Sequence, residues 1–279
     1  MPELPEVETI KQELEQNIIG KKIAKVEVRL PKVINVSKKE FGKRLTGAVI
    51  KNVKRRAKVL IIELSSGYSL LVHLKLTGQL IYTESGIENL EPRVKKYTHV
   101  IFSFSDRSML LFNDLRQFGY IKIYSAKEIC DLPLLKKFGP EPLDENFTLK
   151  IFKNLLSKRI RSKIKPLLMD QNFIAGIGNA YSDEILFYAH IRPERIAKTL
   201  TDQEIKKIFD GIKKILPQAI AHKGTSVDTY VDIFGEKGKF VPFLKVYGRG
   251  EKPCVVCKTK IKELKIGGRT AHFCPKCQK

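Results

Sequence analysis

The sequence has no long apolar run, no tryptophan, no low-complexity tract and no evident internal repeat. No apolar stretch reaches the roughly 18 residues that a membrane-spanning helix needs, so we expect no transmembrane helix. The first residues contain acids and no apolar core of the kind that signal peptides carry, so we also expect no export signal. With 279 residues, the chain is long enough for two domains and a sizeable core.

Acidic residues are scarce as well: 30 Asp and Glu stand against 52 Lys and Arg, which gives a net charge of +22. This balance indicates a polyanionic partner, with nucleic acid as the first candidate and an acidic membrane surface as the second. The basic residues are spread along the chain rather than confined to a tail, which suits a folded basic surface. The lysine excess of a thermophile would come with matching glutamate, which this sequence does not have.

Four of the five cysteines form two Cys-x2-Cys pairs separated by 16 residues: Cys254, Cys257, Cys274 and Cys277. This is the spacing of a tetrahedral structural zinc site, and four thiolates leave no open position for catalysis. A β-hairpin that turns at Gly267-Gly268 would lie between the pairs, with Arg269 in position for a phosphate contact. Metal rather than disulfides, together with the missing export signal, favours a reducing cytoplasm. We interpret the unpaired Cys130 as a plain small hydrophobic residue.

Short β-rich runs at close spacing fill the first half of the chain and favour a β-sandwich or barrel-like domain. That domain starts with a helix, because Val7, Ile10, Leu14 and Ile18 fall on one helical face. A Pro/Gly-rich linker and a run of about four helices follow, and Thr201–Glu204 has the pattern of a capping box that opens one of these helices. We therefore predict an α+β fold with four parts: a β-sandwich domain with an N-terminal helix (1–135), a linker (136–145), a helical domain (146–245) and a zinc-binding β-hairpin (246–279).

The N-terminus carries a candidate catalytic pair, Pro2 and Glu3. Removal of Met1 would expose a secondary amine, and an α-amino group has a pKa of roughly 7.7–8, so an appreciable fraction is nucleophilic at neutral pH. Attack on a sugar C1′ would give an iminium, and Glu3 would supply the acid that opens the sugar ring. The alternative, which composition alone favours, is a proline at a helix start with acids at the positive end of the helix dipole.

Four further motifs contain candidate DNA contacts, and each has a structural alternative. Lys58 ends a basic cluster that suits a phosphate contact or a solvated strand edge. His73 ends a strand, where a histidine is more often structural than catalytic. Arg116 and Phe118 share a loop in which they would contact and wedge base pairs, although a hairpin with a core Phe has the same pattern. Asn179 suits the N-cap of a phosphate-binding helix, and a plain helix-packing turn is the alternative.

Residues Met1–Glu6 resemble the start of bacterial formamidopyrimidine-DNA glycosylases, which repair oxidised purines such as 8-oxoguanine. The linker Phe138–Leu143, the string Ile164–Glu184 and the cysteine hairpin extend this resemblance over nearly the full length. Ile164–Glu184 matches the helix-two-turn-helix motif of the family, which implies that the helical domain 146–245 binds DNA. The resemblance implies a bifunctional DNA glycosylase/AP lyase, in which Pro2 is the nucleophile, Glu3 is the general acid, and β- and then δ-elimination cleave the strand.

The resemblance also assigns roles to the other site residues. Lys58 would face phosphate and the damage site, Glu6 would lie near the extruded nucleotide, and Leu76 would replace the methionine that the family inserts into the helix. The predicted catalytic set is Pro2, Glu3, Lys58 and Arg269. The predicted DNA-binding set is Glu6, His73, Leu76, Arg116, Phe118, Lys165 and Asn179. One structural Zn²⁺ is expected. The expected partner is double-stranded DNA with oxidised bases or abasic sites, bound by a monomer in the cytoplasm, at the nucleoid, and away from membranes.

Departures from the family pattern leave two alternatives open. Leu115 and Gln117 replace a proline and a basic residue of the family, and the segment Phe234–Phe240 differs from the loop that closes over the flipped base. An endonuclease VIII-like preference for oxidised pyrimidines is one alternative, although Leu4 favours the purine branch. A non-catalytic zinc-ribbon DNA-binding protein is the other. It would explain the charge and the cysteines but not the acidic, proline-containing start.

Overall fold

The computed structural model describes residues 1–84 and 96–279, which form two compact units. The first unit contains Met1–Lys136 and Lys223–Lys239, and the second contains Lys137–His222 and Phe240–Lys279. The structure thus groups Lys223–Lys239 with the N-terminal part of the chain, whereas the predicted helical domain, 146–245, includes these residues. The four predicted domain ranges stay a prediction.

The described part of the first unit holds two four-stranded antiparallel sheets and a long N-terminal helix, α1 (Leu4–Ile18). The first sheet has the order β1-β6-β7-β5, with β1 Ile23–Val28, β5 Gly78–Thr83, β6 Thr98–Phe104 and β7 Met109–Asp114. The second has the order β2-β3-β4-β8, with β2 Ile50–Arg56, β3 Val59–Leu64, β4 Tyr68–His73 and β8 Tyr120–Ser125. Short helices complete the unit: α2 Lys38–Leu45, a 3₁₀ turn Pro31–Val33, α3 Ala126–Asp131 and α4 Pro133–Lys136.

The predicted apolar face of α1 is buried in the core of the first unit. Val7, Ile10, Leu14 and Ile18 are each at most 1% exposed. They belong to one cluster with inward-facing residues of both sheets, including Phe112. Burial of this face stabilises a helix close to the end of the chain. The helix ends before Gly20, which adopts φ +82°.

The second unit is helical and ends in a small hairpin. Its helices are α5 Leu149–Ser157, α6 Ile164–Met169, α7 Asn179–Ala189 and α8 Asp202–Ala221, with 3₁₀ turns at Ala197–Thr199 and Val241–Phe243. The predicted capping box is present, because Glu204 accepts from the Thr201 N–H at 2.8 Å and donates its own N–H to the Thr201 hydroxyl at 3.3 Å. Strands β9 (Lys262–Ile266) and β10 (Arg269–Phe273) pair across the predicted Gly267-Gly268 turn.

The α+β architecture is thus confirmed: a β-sandwich with an N-terminal helix, and a helical region with a cysteine-bearing hairpin. Residues 1–84 and 96–279 include no helix with the length and apolar character needed to span a bilayer.

Candidate functional site

The N-terminus is anchored rather than frayed. Pro2 is buried, and Glu3 and Glu6 are 4% and 2% exposed. One carboxylate oxygen of Glu6 accepts from the backbone N–H of Glu3 at 2.7 Å, and the other accepts from the N–H of Thr225 at 2.7 Å. Glu6 therefore fixes the peptide that follows Pro2, which is the residue predicted to attack the sugar.

A charged cluster holds residues 223–239 against α1. The Lys223 ammonium lies 2.9 Å from carboxylate oxygens of both Glu13 and Asp232. Glu13 also accepts from the Ile233 N–H at 3.2 Å, and the Ile233 carbonyl accepts from the Tyr82 N–H at 2.7 Å. The hydrogen bond to Asp232, followed by that to Glu13, raises the pKa of Lys223, whereas burial raises the pKa of Glu13. No pattern in the sequence indicates this cluster, because its members are up to 220 positions apart.

Lys58 lies in a two-residue turn between β2 and β3, where Arg56 pairs with Val59. The turn is tight, since Ala57 has φ +53°, and Lys58 is only 7% exposed. Arg55 braces it by donating to the Ala57 carbonyl at 2.9 Å and to Glu8 at 2.6 Å. The alternative of a solvated edge does not describe Lys58. Its predicted phosphate contact stays a prediction.

His73 supports the turn that carries Leu76. Its Nδ1 accepts from the Lys75 N–H at 3.0 Å, and the Gly78 N–H closes the turn on the Leu74 carbonyl at 2.8 Å. Burial, followed by the charges of Lys75 and Lys58, lowers the pKa of His73 to about 3. The imidazole is therefore neutral at physiological pH, with Nδ1 as an acceptor. The structure gives His73 a backbone-supporting contact, and its predicted contact with DNA stays a prediction.

The loop after β7 presents its arginine and its phenylalanine to solvent. Phe118 is 56% exposed, which rules out the alternative of a core phenylalanine at this position. The Arg116 guanidinium lies 5.3 Å from the centre of the Phe118 ring, within cation–π distance. Behind them the fully buried Asp114 accepts from the Gly119 N–H at 2.6 Å. Asp114 is not among the predicted site residues, although an acid at the end of an apolar strand is a signal that the sequence contains.

Lys165 is buried rather than surface-exposed. Its ammonium donates to Asp183 at 2.6 Å and to the Thr270 carbonyl at 3.1 Å, and both side chains of the ion pair are at most 1% exposed. Asp183 also accepts from the His272 N–H at 2.9 Å. Lys165 therefore ties α6 to α7 and to β10, and its predicted contact with DNA stays a prediction.

The N-cap assignment for α7 was wrong by one residue. Gly178, with extended backbone angles, is the N-cap, and Asn179 is the first residue inside the helix. The Asn179 Oδ1 is buried and has no hydrogen-bond partner among the described residues. Arg269 opens β10 and is exposed. Its predicted phosphate contact stays a prediction, as does that of Asn179.

The four predicted zinc ligands converge. Their sulfur atoms all lie within 4.8 Å of one another, with 3.9 Å between Cys254 and Cys277 and 3.4 Å between Cys257 and Cys274. A tetrahedral zinc with bonds of about 2.3 Å requires sulfur separations of about 3.8 Å, so the cluster fits the ion. Backbone N–H groups of Val256 and Cys277 point at sulfurs at 3.4 Å, as at a thiolate knuckle.

The fold and site define a class: a two-unit protein that joins a β-sandwich with a buried N-terminal proline to a helical unit with a four-cysteine zinc finger. The chain belongs to the formamidopyrimidine-DNA glycosylase family. Sequence models of the family's N-terminal domain and of its H2TH domain match residues 1–121 and 138–231. A model of the zinc finger found in FPG and IleRS matches residues 251–279.

Similar proteins cover the chain from end to end. Formamidopyrimidine-DNA glycosylases of Pelotomaculum thermopropionicum and Listeria monocytogenes are 45% and 44% identical to it. The alignments cover 100% of this chain and 99% and 100% of the relatives. Two crystal structures of Lactococcus lactis Fpg superpose with TM-scores of 0.90, covering 99% of each chain. One is a point mutant bound to Fapy-dG DNA, 37% identical, and the other is bound to abasic-site DNA, 36% identical.

Proposed function

We propose that the protein is a bifunctional DNA glycosylase/AP lyase that excises oxidised purines from double-stranded DNA and then cleaves the strand. The observation that carries this proposal is at the N-terminus. Pro2 is buried, and the Glu6 carboxylate accepts a hydrogen bond from the N–H of the peptide that joins Pro2 to Glu3. A DNA-binding protein without chemistry has no use for a fixed proline amine. The relatives are named as formamidopyrimidine-DNA glycosylases, which supports the same activity here.

The chemistry starts once Met1 is removed, because only then is the Pro2 nitrogen a free secondary amine. Its lone pair forms a bond to C1′ of the damaged nucleotide. The bond between C1′ and the base breaks, and the base leaves with that electron pair and takes up a proton. Glu3 protonates the ring oxygen, so that the sugar opens to an iminium. The iminium acidifies the C2′ proton, and its loss expels the 3′ phosphate. A second elimination then expels the 5′ phosphate.

The proposed DNA contacts would come from both units. Leu76, Arg116 and Phe118, which we call the wedge residues, would fill the gap that the flipped nucleotide leaves. Lys58, Asn179 and Arg269 would contact phosphates. The net charge of +22 suits a duplex. Crystal structures of Lactococcus lactis Fpg contain DNA with Fapy-dG or an abasic site, which supports the same substrate class for this chain.

Zinc has a structural part in this proposal. All four coordination positions are cysteines, so no position remains for water or substrate. The ion would stabilise the hairpin that presents Arg269. Leu4, Arg116 and Phe118 favour purine over pyrimidine lesions. We propose that the protein is a monomer. We also place it at the nucleoid in the cytoplasm, because its substrate lies within chromosomal DNA.

Borohydride trapping tests the proposal. The protein is incubated with a duplex carrying 8-oxoguanine opposite cytosine, and the reductant converts the iminium into a stable amine. We expect a covalent protein–DNA band that disappears in a variant whose Pro2 nitrogen is blocked by an additional N-terminal residue. A band that persists in the blocked variant would exclude Pro2 as the nucleophile.

Parallel duplexes separate the alternatives. A band that forms faster with an oxidised pyrimidine than with 8-oxoguanine would indicate endonuclease VIII-like specificity. Tight binding without any band, on oxidised-purine, oxidised-pyrimidine and abasic duplexes alike, would indicate a non-catalytic DNA-binding protein.

A further inference from the structure

Asp114 is fully buried at the end of β7, with its carboxylate engaged on both oxygens. Oδ1 accepts from the Thr77 hydroxyl and, at 3.2 Å, from the Arg116 N–H. Oδ2 accepts from the Gly119 N–H at 2.6 Å. A buried carboxylate is costly unless hydrogen bonds replace its water, and these donors supply that replacement.

The donors come from the two loops that carry the wedge residues. Thr77 directly follows Leu76 in the turn between β4 and β5, whereas Arg116 and Gly119 bracket Phe118. The Thr77 hydroxyl also accepts from the Arg116 N–H at 3.0 Å, so Asp114 and Thr77 share one donor. This arrangement connects the two loops through a single buried carboxylate.

The second loop has little freedom to move relative to that carboxylate. Gln117 adopts φ +57°, in the left-handed region. A Cβ at Gly119 would lie 2.9 Å from the Phe112 ring, 3.0 Å from the His73 carbonyl and 3.1 Å from Asp114 Oδ2. The Gly119 backbone therefore packs directly on the strand ends, and a glycine is required there.

We infer that Asp114 is a positioning residue that holds Leu76, Arg116 and Phe118 in one fixed arrangement, so that they enter the duplex as a unit when the damaged nucleotide leaves. The inference rests on the proposed function. Asp114 is 0% exposed and cannot touch DNA itself. Its loss should therefore impair steps that require filling of the base stack and spare the chemistry at Pro2.

Three variants and two substrates test this inference. Asp114→Asn replaces an acceptor oxygen with a donor that faces N–H or O–H groups, and Thr77→Val removes the hydroxyl that joins the loops. Thr77→Ser keeps that hydroxyl. Asp131→Asn, which changes an exposed carboxylate paired with Lys136, is the matched control. Single-turnover excision is measured on an 8-oxoguanine duplex, and strand cleavage on a single-stranded oligonucleotide with an abasic site, where no stack needs filling.

We expect Asp114→Asn and Thr77→Val to slow excision from the duplex about 10- to 100-fold, since misplacement by an ångström is enough for such a loss. Cleavage of the single strand should stay near the wild-type rate, and Thr77→Ser and Asp131→Asn should behave as wild type on both substrates. A 2-aminopurine beside the lesion should report weaker unstacking in the slowed variants.

Equal losses on both substrates, or no loss on the duplex, would overturn the inference. If Asp114→Asn does not fold, the comparison of Thr77→Val with Thr77→Ser decides. A wild-type protein that cleaves neither substrate would instead contradict the proposed function, so the two failures are distinguishable.

Discussion

Glu6 accepts a hydrogen bond from the backbone N–H of Thr225 at 2.7 Å, across 219 positions of the chain. The opposite carboxylate oxygen accepts from Glu3. One side chain in the first turn of α1 thus joins the peptide that follows Pro2 to the segment Lys223–Lys239. The position of the Pro2 amine depends on this segment as well as on the helix that follows it.

Gly224→Ala should disrupt that link. Gly224 adopts φ +76°, and a Cβ there would lie 2.7 Å from Glu6 Oε1 and 2.8 Å from its Cγ. The Glu6 carboxylate would have to move away from Thr225. We expect excision and borohydride trapping to slow about 10- to 100-fold, because the nucleophile is then misplaced.

Gly67→Ala is the matched control. Gly67 also has a left-handed backbone, with φ +77°, in the turn between β3 and β4, but a Cβ there would meet no atom within 4 Å. Both substitutions carry the left-handed backbone cost of about 1–2 kcal/mol, which urea unfolding measures. Only Gly224→Ala should lose activity. Equal rates in the two variants would show that the Glu6 contact does not position Pro2.

Removal of zinc should weaken DNA binding before it affects the first unit. Metal analysis should find one zinc per chain. A chelator should remove it and weaken duplex binding, because the hairpin with Arg269 has a core of only a few residues and depends on the metal for its fold. Cys257→Ser should reproduce the effect, and Cys130→Ser should retain both zinc and binding. Unchanged affinity after complete zinc loss would contradict the structural role.

The sequence alone predicts the structure correctly wherever a local pattern determines it. The apolar spacing in α1, the Thr201–Glu204 capping box and the Gly267-Gly268 turn each involve residues within a few positions, and all three were confirmed. The zinc site runs from Cys254 to Cys277 but depends only on cysteine spacing, and its geometry agrees with the ion.

Contacts between residues that are far apart in the chain could not be predicted from the sequence. A lysine in a basic protein suggests a DNA contact. The residues next to Lys165 in the sequence do not indicate that Asp183 and the Thr270 carbonyl surround its ammonium. The N-cap of α7 was misassigned because glycine and asparagine both suit that position, and only the backbone angles of Gly178 decide between them. The contacts of Asp114 depend on the pairing of β5 with β7, which brings Thr77 beside it and which no local pattern indicates.

The buried ion pair of Lys165 leads to a test of two opposing roles. Lys165→Met removes one partner of a pair that is at most 1% exposed, so the free energy of unfolding should fall by about 3–5 kcal/mol. The slope of log affinity against log salt should stay unchanged, because no phosphate contact is lost. Arg269→Ala, at an exposed position, should reduce that slope by about 1 with little effect on stability. A reduced slope in Lys165→Met would instead indicate that Lys165 contacts a phosphate.

Because His73 is neutral in the folded protein, we expect it to contribute one component of the loss of stability in acid. Its pKa is about 3 in the folded protein, against roughly 6.5 in an unfolded chain. Below pH about 6.5 the unfolded state takes up a proton that the folded state refuses, so the stability that neutral His73 contributes is full above that pH and declines as the pH falls towards 3. Between pH values of about 7.5 and 5 the wild type should lose about 1–2 kcal/mol through this residue.

His73→Asn isolates that component. Asparagine places an acceptor near the position of Nδ1, so the Lys75 N–H keeps its partner, yet the side chain does not titrate. Urea unfolding at both pH values should therefore show a smaller acid-induced loss in His73→Asn than in the wild type. The other histidines are common to both proteins and cancel in the comparison. An identical loss in the two proteins would mean that His73 is protonated in the folded state, with its hydrogen bond to Lys75 broken.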